Sequence, residues 1–343
     1  MKGLNIIRDI LQSMQKLFRF FHRKWSFADL RKKAYELRKV VVKKRGVSIV
    51  DRRLKLIIKE YSKQRFGTTA YWPYLALYTE IRGEFLDGWL PFDYYKLVML
   101  PKICPAPALY LNDQKTYDYR LFNDFALKPL FIYILGIFYN PDLEIVENDQ
   151  LLQFMKNYDD LIVIKEDGGR AGEQVRIIQS SKFSTKELNG SKNYVIQPYV
   201  KQYKVLNALY PGSVNTFRVA TYLEKNGSVI VKFVFLRFGS DGLKFDNLAA
   251  GGDYLFFDLT GKPSNLIYDK LGFEKGDRHK NTGFLFSDVK IPKFQEMLEK
   301  CKHSHKKYPY VRLIGWDVCI DSSGVLIPYT NITTKQNILI PLF

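Results

Sequence analysis

Apolar residues recur at helical intervals in the first part of the chain and at alternating intervals in the last. Ile7, Ile10, Leu11, Met14, Leu17, Phe18 and Phe21 keep a helical spacing among Lys2, Arg8, Lys16, Arg19, Arg23 and Lys24, which predicts an amphipathic basic helix. A second helix opens at Ser26, with Asp29 placed as in a capping box. It runs through Leu30, Ala34, Leu37 and Val41 to Lys43-Lys44-Arg45 before Gly46. Ser48 and Asp51 repeat the start signal, and Leu54, Ile57, Ile58 and Tyr61 carry a third helix toward Gly67.

From Phe66 to Asp160 the chain is aromatic-rich and punctuated by Pro73, Pro91, Pro101, Pro105, Pro107, Pro129 and Pro141, a loop-rich α/β texture. The run Leu130 to Tyr139 is too short to cross a bilayer and predicts one buried strand. Strand signals then dominate: Leu161 to Lys165, Gln174 to Ile178, Tyr194 to Tyr199, Phe217 to Leu223 and Val229 to Phe238. Asn226-Gly227 marks a hairpin between the last two. A final hairpin joins Ile314 to Ile320 with Val325 to Tyr329. The expected divisions are residues 1–65, basic and helical; 66–160, an N-terminal domain; and 161–343, two β-rich lobes. The fold class is α+β.

Composition changes this picture mainly through where the charge lies. Of a net charge of +18, residues 1–65 supply 20 Lys and Arg against 5 Asp and Glu, leaving 33 against 30 for the remainder. Positive potential concentrated in one segment favours an acidic surface, whether the anionic inner face of a membrane, a nucleic-acid backbone or an acidic glycan; the alternative is a helical subdomain packed on the body with its lysines solvated. No nucleic-acid reader motif accompanies the charge, so nucleic acid is not an expected partner. A hydrophobic content of 46% excludes a disordered chain. Cys104, Cys301 and Cys319 are too few and too dispersed for a disulfide framework, which predicts a cytoplasmic protein. No signal peptide is expected at the N-terminus. Cys301-Lys-His303-Ser-His305 lacks a fourth zinc ligand at suitable spacing and is expected at an exposed helix end. His22 and His279 have no Ser or Cys pattern from which a hydrolase triad follows.

The candidate chemistry begins at Gly168, Gly169 and Gly172, in a turn between two strands. Glycine permits the positive φ and close backbone approach with which N–H groups fold over phosphates. Neither a Rossmann fingerprint nor a P-loop ending is present. Around this turn stand Lys115 upstream, Lys165 ending the preceding strand, Gln197-Pro198-Tyr199, Arg218 and Arg237 on neighbouring strands, and Asp317 and Asn331 on the last hairpin. Together with Pro211-Gly-Ser-Val-Asn-Thr-Phe-Arg218, Leu236-Arg-Phe-Gly239, Phe245-Asp-Asn-Leu-Ala-Ala-Gly-Gly252 and Gly315-Trp-Asp-Val318, this succession resembles the ATP-grasp superfamily. Within it, the chain is most similar to the sugar-transfer associated proteins of bacterial surface-polysaccharide clusters, from about Trp72 onward.

The resemblance implies a pre-ATP-grasp domain at 66–160 and two lobes clasping ATP. It implies an ATP- and Mg²⁺-dependent ligase joining a carboxylate, such as a uronic-acid sugar or an amino acid, to an amine through an acyl phosphate. Lys115, Lys165 and the glycine turn would hold phosphates, and Gln197 and Tyr199 the adenine, with the Tyr199 amide available because Pro198 has none. Arg218, Arg237 and Lys165 would act on the reacting groups. Ser213, Asn215, Thr216, Asp246 and Asn247 would contact substrate, and Asp317 and Asn331 would bind Mg²⁺. The chain departs from the pattern at Tyr329-Thr330-Asn331, where the family carries Glu-x-Asn. A neutral phenol replaces a bridging carboxylate, which calls for Asp246 or Asp258 to compensate, or for a degenerate, non-catalytic binding protein of glycan assembly.

Overall fold

The structure is a computed structural model that describes residues 25–105, 108, 114–168, 174–242, 253–268 and 273–329, with residues 327–329 described through their backbone alone. The chain divides into two compact units, Met1–Lys102 with Ile338–Phe343, and Ile103–Asn337. The expected helix through Ile7 to Phe21 lies outside the described residues.

In the first unit the two remaining helical expectations hold. Helix α1 covers residues 25–45, and α2 covers Arg52–Phe66. Asp51 caps α2 by accepting from the Leu54 N–H at 2.7 Å. Gly67 ends it in the left-handed conformation, which costs a residue without Cβ little. Helix α3, Trp72–Arg82, is buried along most of its length. A helical stretch from Phe92 to Ile103 follows, with a π-turn at Tyr95–Met99. The core is aromatic, with Tyr74, Tyr78, Trp89 and Tyr95 buried and Tyr78 edge-on to Trp89 at 5.8 Å. Glu80 is buried and ties three segments together. It accepts from Arg38 of α1 at 2.8 Å, from Ser48 Oγ at 2.7 Å and from the Ile49 N–H at 3.0 Å.

The second unit holds two antiparallel sheets. The first has the order β2-β1-β5-β3-β4, from β1 (Phe131–Ile134), β2 (Ile137–Tyr139), β3 (Leu161–Glu166), β4 (Val175–Gln179) and β5 (Tyr194–Pro198). The single strand expected from Leu130 to Tyr139 is instead the hairpin β1–β2. Leu135 at φ 47° and Gly136 at φ 95° make its turn, so uniform apolarity concealed a reversal that Gly136 alone marks. Helix α4 (Asn148–Tyr158) buries Leu151 and Met155 against Ile162, Ile164, Tyr194 and Ile196. Strand alternation therefore turns Val163, Lys165, Val195 and Gln197 to the opposite face, where Lys165 pairs with Val195 and Val163 with Gln197.

The second sheet has the order β10-β9-β8-β7-β6-β11-β12, from β6 (Thr216–Leu223), β7 (Val229–Phe238), β8 (Asp253–Phe257), β9 (Ile267–Tyr268), β10 (Glu274–Gly276), β11 (Leu313–Ile320) and β12 (Leu326–Tyr329). Between them α5 (Lys204–Leu209) follows β5, and α6 (Phe294–Lys307) precedes β11. Phe294 of α6 meets the rings of Phe217 and Phe257, so Arg218, one residue on from Phe217, faces away from that helix. Cys301 and His305 are buried members of the inward stripe of α6, not part of an exposed helix end. His305 Nδ1 meets Thr221 Oγ1 at 2.7 Å and Nε2 meets the Val311 carbonyl at 3.1 Å. Burial pushes its pKa down to about 4, against the Val311 contact, so the ring is a neutral core group. All three cysteines are buried, and none forms a disulfide.

Candidate functional site

The connection leaving β5 is fastened to both sheets. The Tyr199 N–H donates to the Leu161 carbonyl at 3.1 Å and the Tyr203 N–H to the Ile320 carbonyl at 2.8 Å. The Tyr199 amide expected to serve a ligand is therefore engaged by the sheet. The Gln197 side chain behaves differently. It is buried, and its Oε1 has no hydrogen-bond partner among the described residues, which leaves an acceptor to be satisfied.

Lys165 stands on the same sheet face as Gln197. Burial pushes its pKa down to about 7; the charges of Asp118 and Cys319 raise it and that of Lys115 lowers it. Lys165 is thus within electrostatic reach of β11 in the second sheet and of the turn carrying Lys115. That turn is tied to the end of β3. Lys115 Nζ donates to the Glu166 carbonyl at 2.6 Å, and Thr116 donates to Asp167 through N–H at 3.0 Å and Oγ1 at 2.7 Å. Burial pushes the Asp167 carboxyl above its ordinary value, and the Thr116 bonds only partly offset it. Both expected lysines are therefore brought to one place, with Asp118 and Asp167 beside them. Sequence reasoning missed these two acids, although Asp118 lies one helical turn beyond Lys115. Gly168 begins the glycine turn at φ 73°, while Gly169 and Gly172 lie outside the described residues.

On the second sheet Arg218, Arg237 and Asp317 converge. Strand register sets Arg218 opposite Asp317. Arg218 grips the carboxylate with Nε at 2.6 Å and Nη2 at 3.1 Å, and Arg237 Nη2 reaches Asp317 Oδ2 at 3.0 Å. Arg237 also donates to Thr216 Oγ1 at 2.6 Å. Two guanidinium groups thus meet on one buried carboxylate, and their planar donor sets are of the kind that bind carboxylate and phosphate groups.

Asn215 is structural at its donor end. Its Nδ2 reaches the carbonyls of Leu206 and Tyr210 at 2.7 and 2.9 Å, and Gln202 Oε1 accepts from its N–H at 3.1 Å. Gln202, a third residue the sequence did not reveal, also donates to the carbonyls of Tyr210 and Ser213. Ser213 Oγ and Asn215 Oδ1 are buried with no hydrogen-bond partner among the described residues. Asp246, Asn247 and Asn331 lie outside the described residues.

A divalent cation fits poorly here. Asp317 gives its oxygens to two arginines, and the residue opposite it on β12 is Tyr329. Asp258 is spent on its own turn, accepting from the Thr260 and Lys262 N–H groups at 2.9 Å. Among the described residues no cluster of three metal-ligating side chains occurs.

Comparison with known proteins places this geometry. The family described as sugar-transfer associated ATP-grasp matches residues 135–339. No curated protein matches the chain. Among solved structures, the ATP-grasp ligase PsnB complexed with minimal precursor is similar at 10% identity and a TM-score of 0.39, over 68% of this chain and 56% of that one. D-alanyl-alanine synthetase A from Vibrio cholerae O1 biovar eltor gives 11% and 0.37, over 70% and 62%. A biotin carboxylase complex with β-γ-ATP from Campylobacter jejuni gives 10% and 0.42, over 89% and 66%. The chain thus spans less than two thirds of the length of each.

Proposed function

We propose that this chain, which belongs to the sugar-transfer associated ATP-grasp family, is an ATP-dependent carboxylate–amine ligase. Its acceptor in this reading is a uronic-acid sugar or an amino acid of surface-polysaccharide biosynthesis, worked on in the cytoplasm. The observation that carries the reading is one sheet face holding both the half-buried Lys165 ammonium and the Gln197 Oε1, which has no hydrogen-bond partner among the described residues. An adenine amino group supplies the donor that Gln197 lacks, and a phosphate supplies the anion that restores full charge to Lys165. Lys115 adds a second cation at the phosphates, under the turn begun by Gly168.

The acceptor carboxylate then lies toward Arg218 and Arg237, whose donors suit a planar acid. Its oxygen attacks the γ-phosphorus, the bond to the β–γ bridging oxygen breaks, and ADP leaves. The amine nitrogen attacks the acyl carbon, phosphate leaves with the C–O electron pair, and the nitrogen loses a proton. Activation is needed because a carboxylate is a poor electrophile. The part of this chain is positioning and charge stabilisation. Mg²⁺ at Asp317 and Asn331, which the family resemblance implies, enters no step here, since the arginines occupy Asp317.

The test is ADP release from ATP with candidate uronic acids and amino acids, beside calorimetry with ATP alone. ATP uptake with acceptor-dependent ADP release is the expected result. Nucleotide uptake without turnover would assign the chain to the non-catalytic binding class that Tyr329 motivates. No uptake under any divalent ion would overturn the nucleotide reading.

A further inference from the structure

The first unit carries a surface that the ligase reading does not use. Residues 25–66 contain fourteen Lys and Arg against four Asp and Glu. Part of this charge is internal: Arg38 is bound to Glu80, and Lys55 lies over the Trp72 ring at 4.8 Å. Lys33, Lys39, Lys43, Arg52, Arg53 and Lys63 are exposed.

Among these cations both helices expose large apolar side chains. Leu56 and Ile57 on α2 are 62% and 47% exposed, and Trp25 and Val40 on α1 are 71% and 52% exposed. Val47, just past α1, is 63% exposed. A surface helix in water keeps such residues on its buried stripe; here the buried stripe is already filled by Leu30, Ala34, Val41 and Ile58. Each helix therefore has a second apolar element facing out, flanked by positive charge.

We infer that this surface adsorbs to a bilayer leaflet rich in anionic lipid. Anionic headgroups complement the lysines and arginines, and the acyl boundary takes Trp25, Leu56 and Ile57, so one partner accounts for both halves of the pattern. Nucleic acid would neutralise the charge and leave the aliphatic groups in water. An acidic soluble protein does the same unless it also brings an apolar patch. Among the described residues no helix is long and apolar enough to cross a membrane, so attachment is by adsorption to one face.

Tryptophan fluorescence reads this contact at one position. Trp72, Trp89 and Trp316 are buried, whereas Trp25 is exposed, so a shift of emission to the blue reports Trp25 leaving water. The experiment uses the full chain without nucleotide, with phosphatidylcholine vesicles either pure or containing about one third phosphatidylglycerol. The expected result is co-sedimentation with the anionic vesicles only, weakened by salt and accompanied by the blue shift. Trp25→Phe abolishes the shift and keeps binding.

Leu56→Ser with Ile57→Ser, and separately Lys39→Glu with Lys43→Glu, each lower partitioning by about tenfold or more. All four positions are exposed, and an unchanged unfolding midpoint verifies the fold. Equal binding to neutral vesicles, full retention of binding in either double variant, or no blue shift would overturn the inference. So would binding to duplex DNA or self-association in the absence of any adsorption to vesicles. The assay contains no ATP, so failure of the ligase reading leaves this result standing, and the converse also holds.

Discussion

The two sheets of the second unit bring positive charge to the site in opposite ways. On the first, burial pushes the Lys165 ammonium down to about 7, with Asp118 pulling against it. On the second, Arg218 and Arg237 close on the single carboxylate of Asp317. An ammonium in a dry place can release its proton until an anion arrives, whereas a guanidinium cannot. A buried arginine pair therefore needs a built-in acid, and a buried lysine does not. The first sheet thus holds a cation that responds to a ligand, and the second a fixed one.

The largest effect should come from removing the acid. Asp317→Ala leaves two buried guanidinium groups facing each other, and denaturant unfolding should show a loss of about 3–5 kcal/mol. Replacing all three residues together, Arg218→Met, Arg237→Met and Asp317→Leu, should recover most of that stability while activity stays absent. If Asp317→Ala unfolds like the wild type, the pairing is not what fixes this end of the sheet.

Lys165→Met should behave in the opposite sense. A lysine with a depressed folded pKa opposes folding while the unfolded chain is protonated. Stability should therefore rise with pH from about 7 toward 10.5 in the wild type. The variant should lack that rise and be the more stable protein at neutral pH, yet bind ATP about tenfold to a hundredfold more weakly, the worth of a charge-assisted phosphate contact. Equal ATP affinity in the two proteins would remove Lys165 from the nucleotide site.

Which of these features the sequence discloses depends on how local their causes are. Helix α2 is legible because Asp51 and Gly67 act within one turn of its ends. The β6–β7 hairpin is legible because Asn226-Gly227 sits at its bend, with Gly227 at φ 85°. The hairpin within Leu130 to Tyr139 is not, since apolarity marks burial and not direction. The order Lys115, Lys165, Gln197, Arg218, Arg237, Asp317 discloses a family, and so most of the candidate site. It does not disclose that Arg218 meets Asp317 across 99 residues, that Leu161 occupies the Tyr199 amide, or that Gln202 anchors Asn215. Those follow from register, which only the folded sheets define.

The first unit offers the same contrast with two acids. Glu80 and Asp93 are both fully buried. Burial alone would raise Glu80, but hydrogen bonds from Ser48, Arg38 and the Ile49 N–H hold it below its ordinary value. Asp93 accepts from the Tyr94 N–H at 3.0 Å, while its Oδ2 has no hydrogen-bond partner. Burial pushes its pKa up to about 7, against the Tyr94 bond and the Arg31 charge. Tyr74 and Tyr78 stand near it with phenols raised further by its charge. An acid raised in the folded state contributes stability below its unfolded pKa and loses it as pH climbs through the folded one. The wild type should therefore lose stability from about pH 4 to about pH 7 on this account. Asp93→Asn stays neutral throughout, so thermal unfolding should show the difference between the two proteins moving in favour of the variant over that window, by up to about 4 kcal/mol; the unpaired amide hydrogens add a cost that does not change with pH. A difference that does not change with pH would mean that Asp93 finds its missing partner in the folded protein, as Asp317 and Glu80 do.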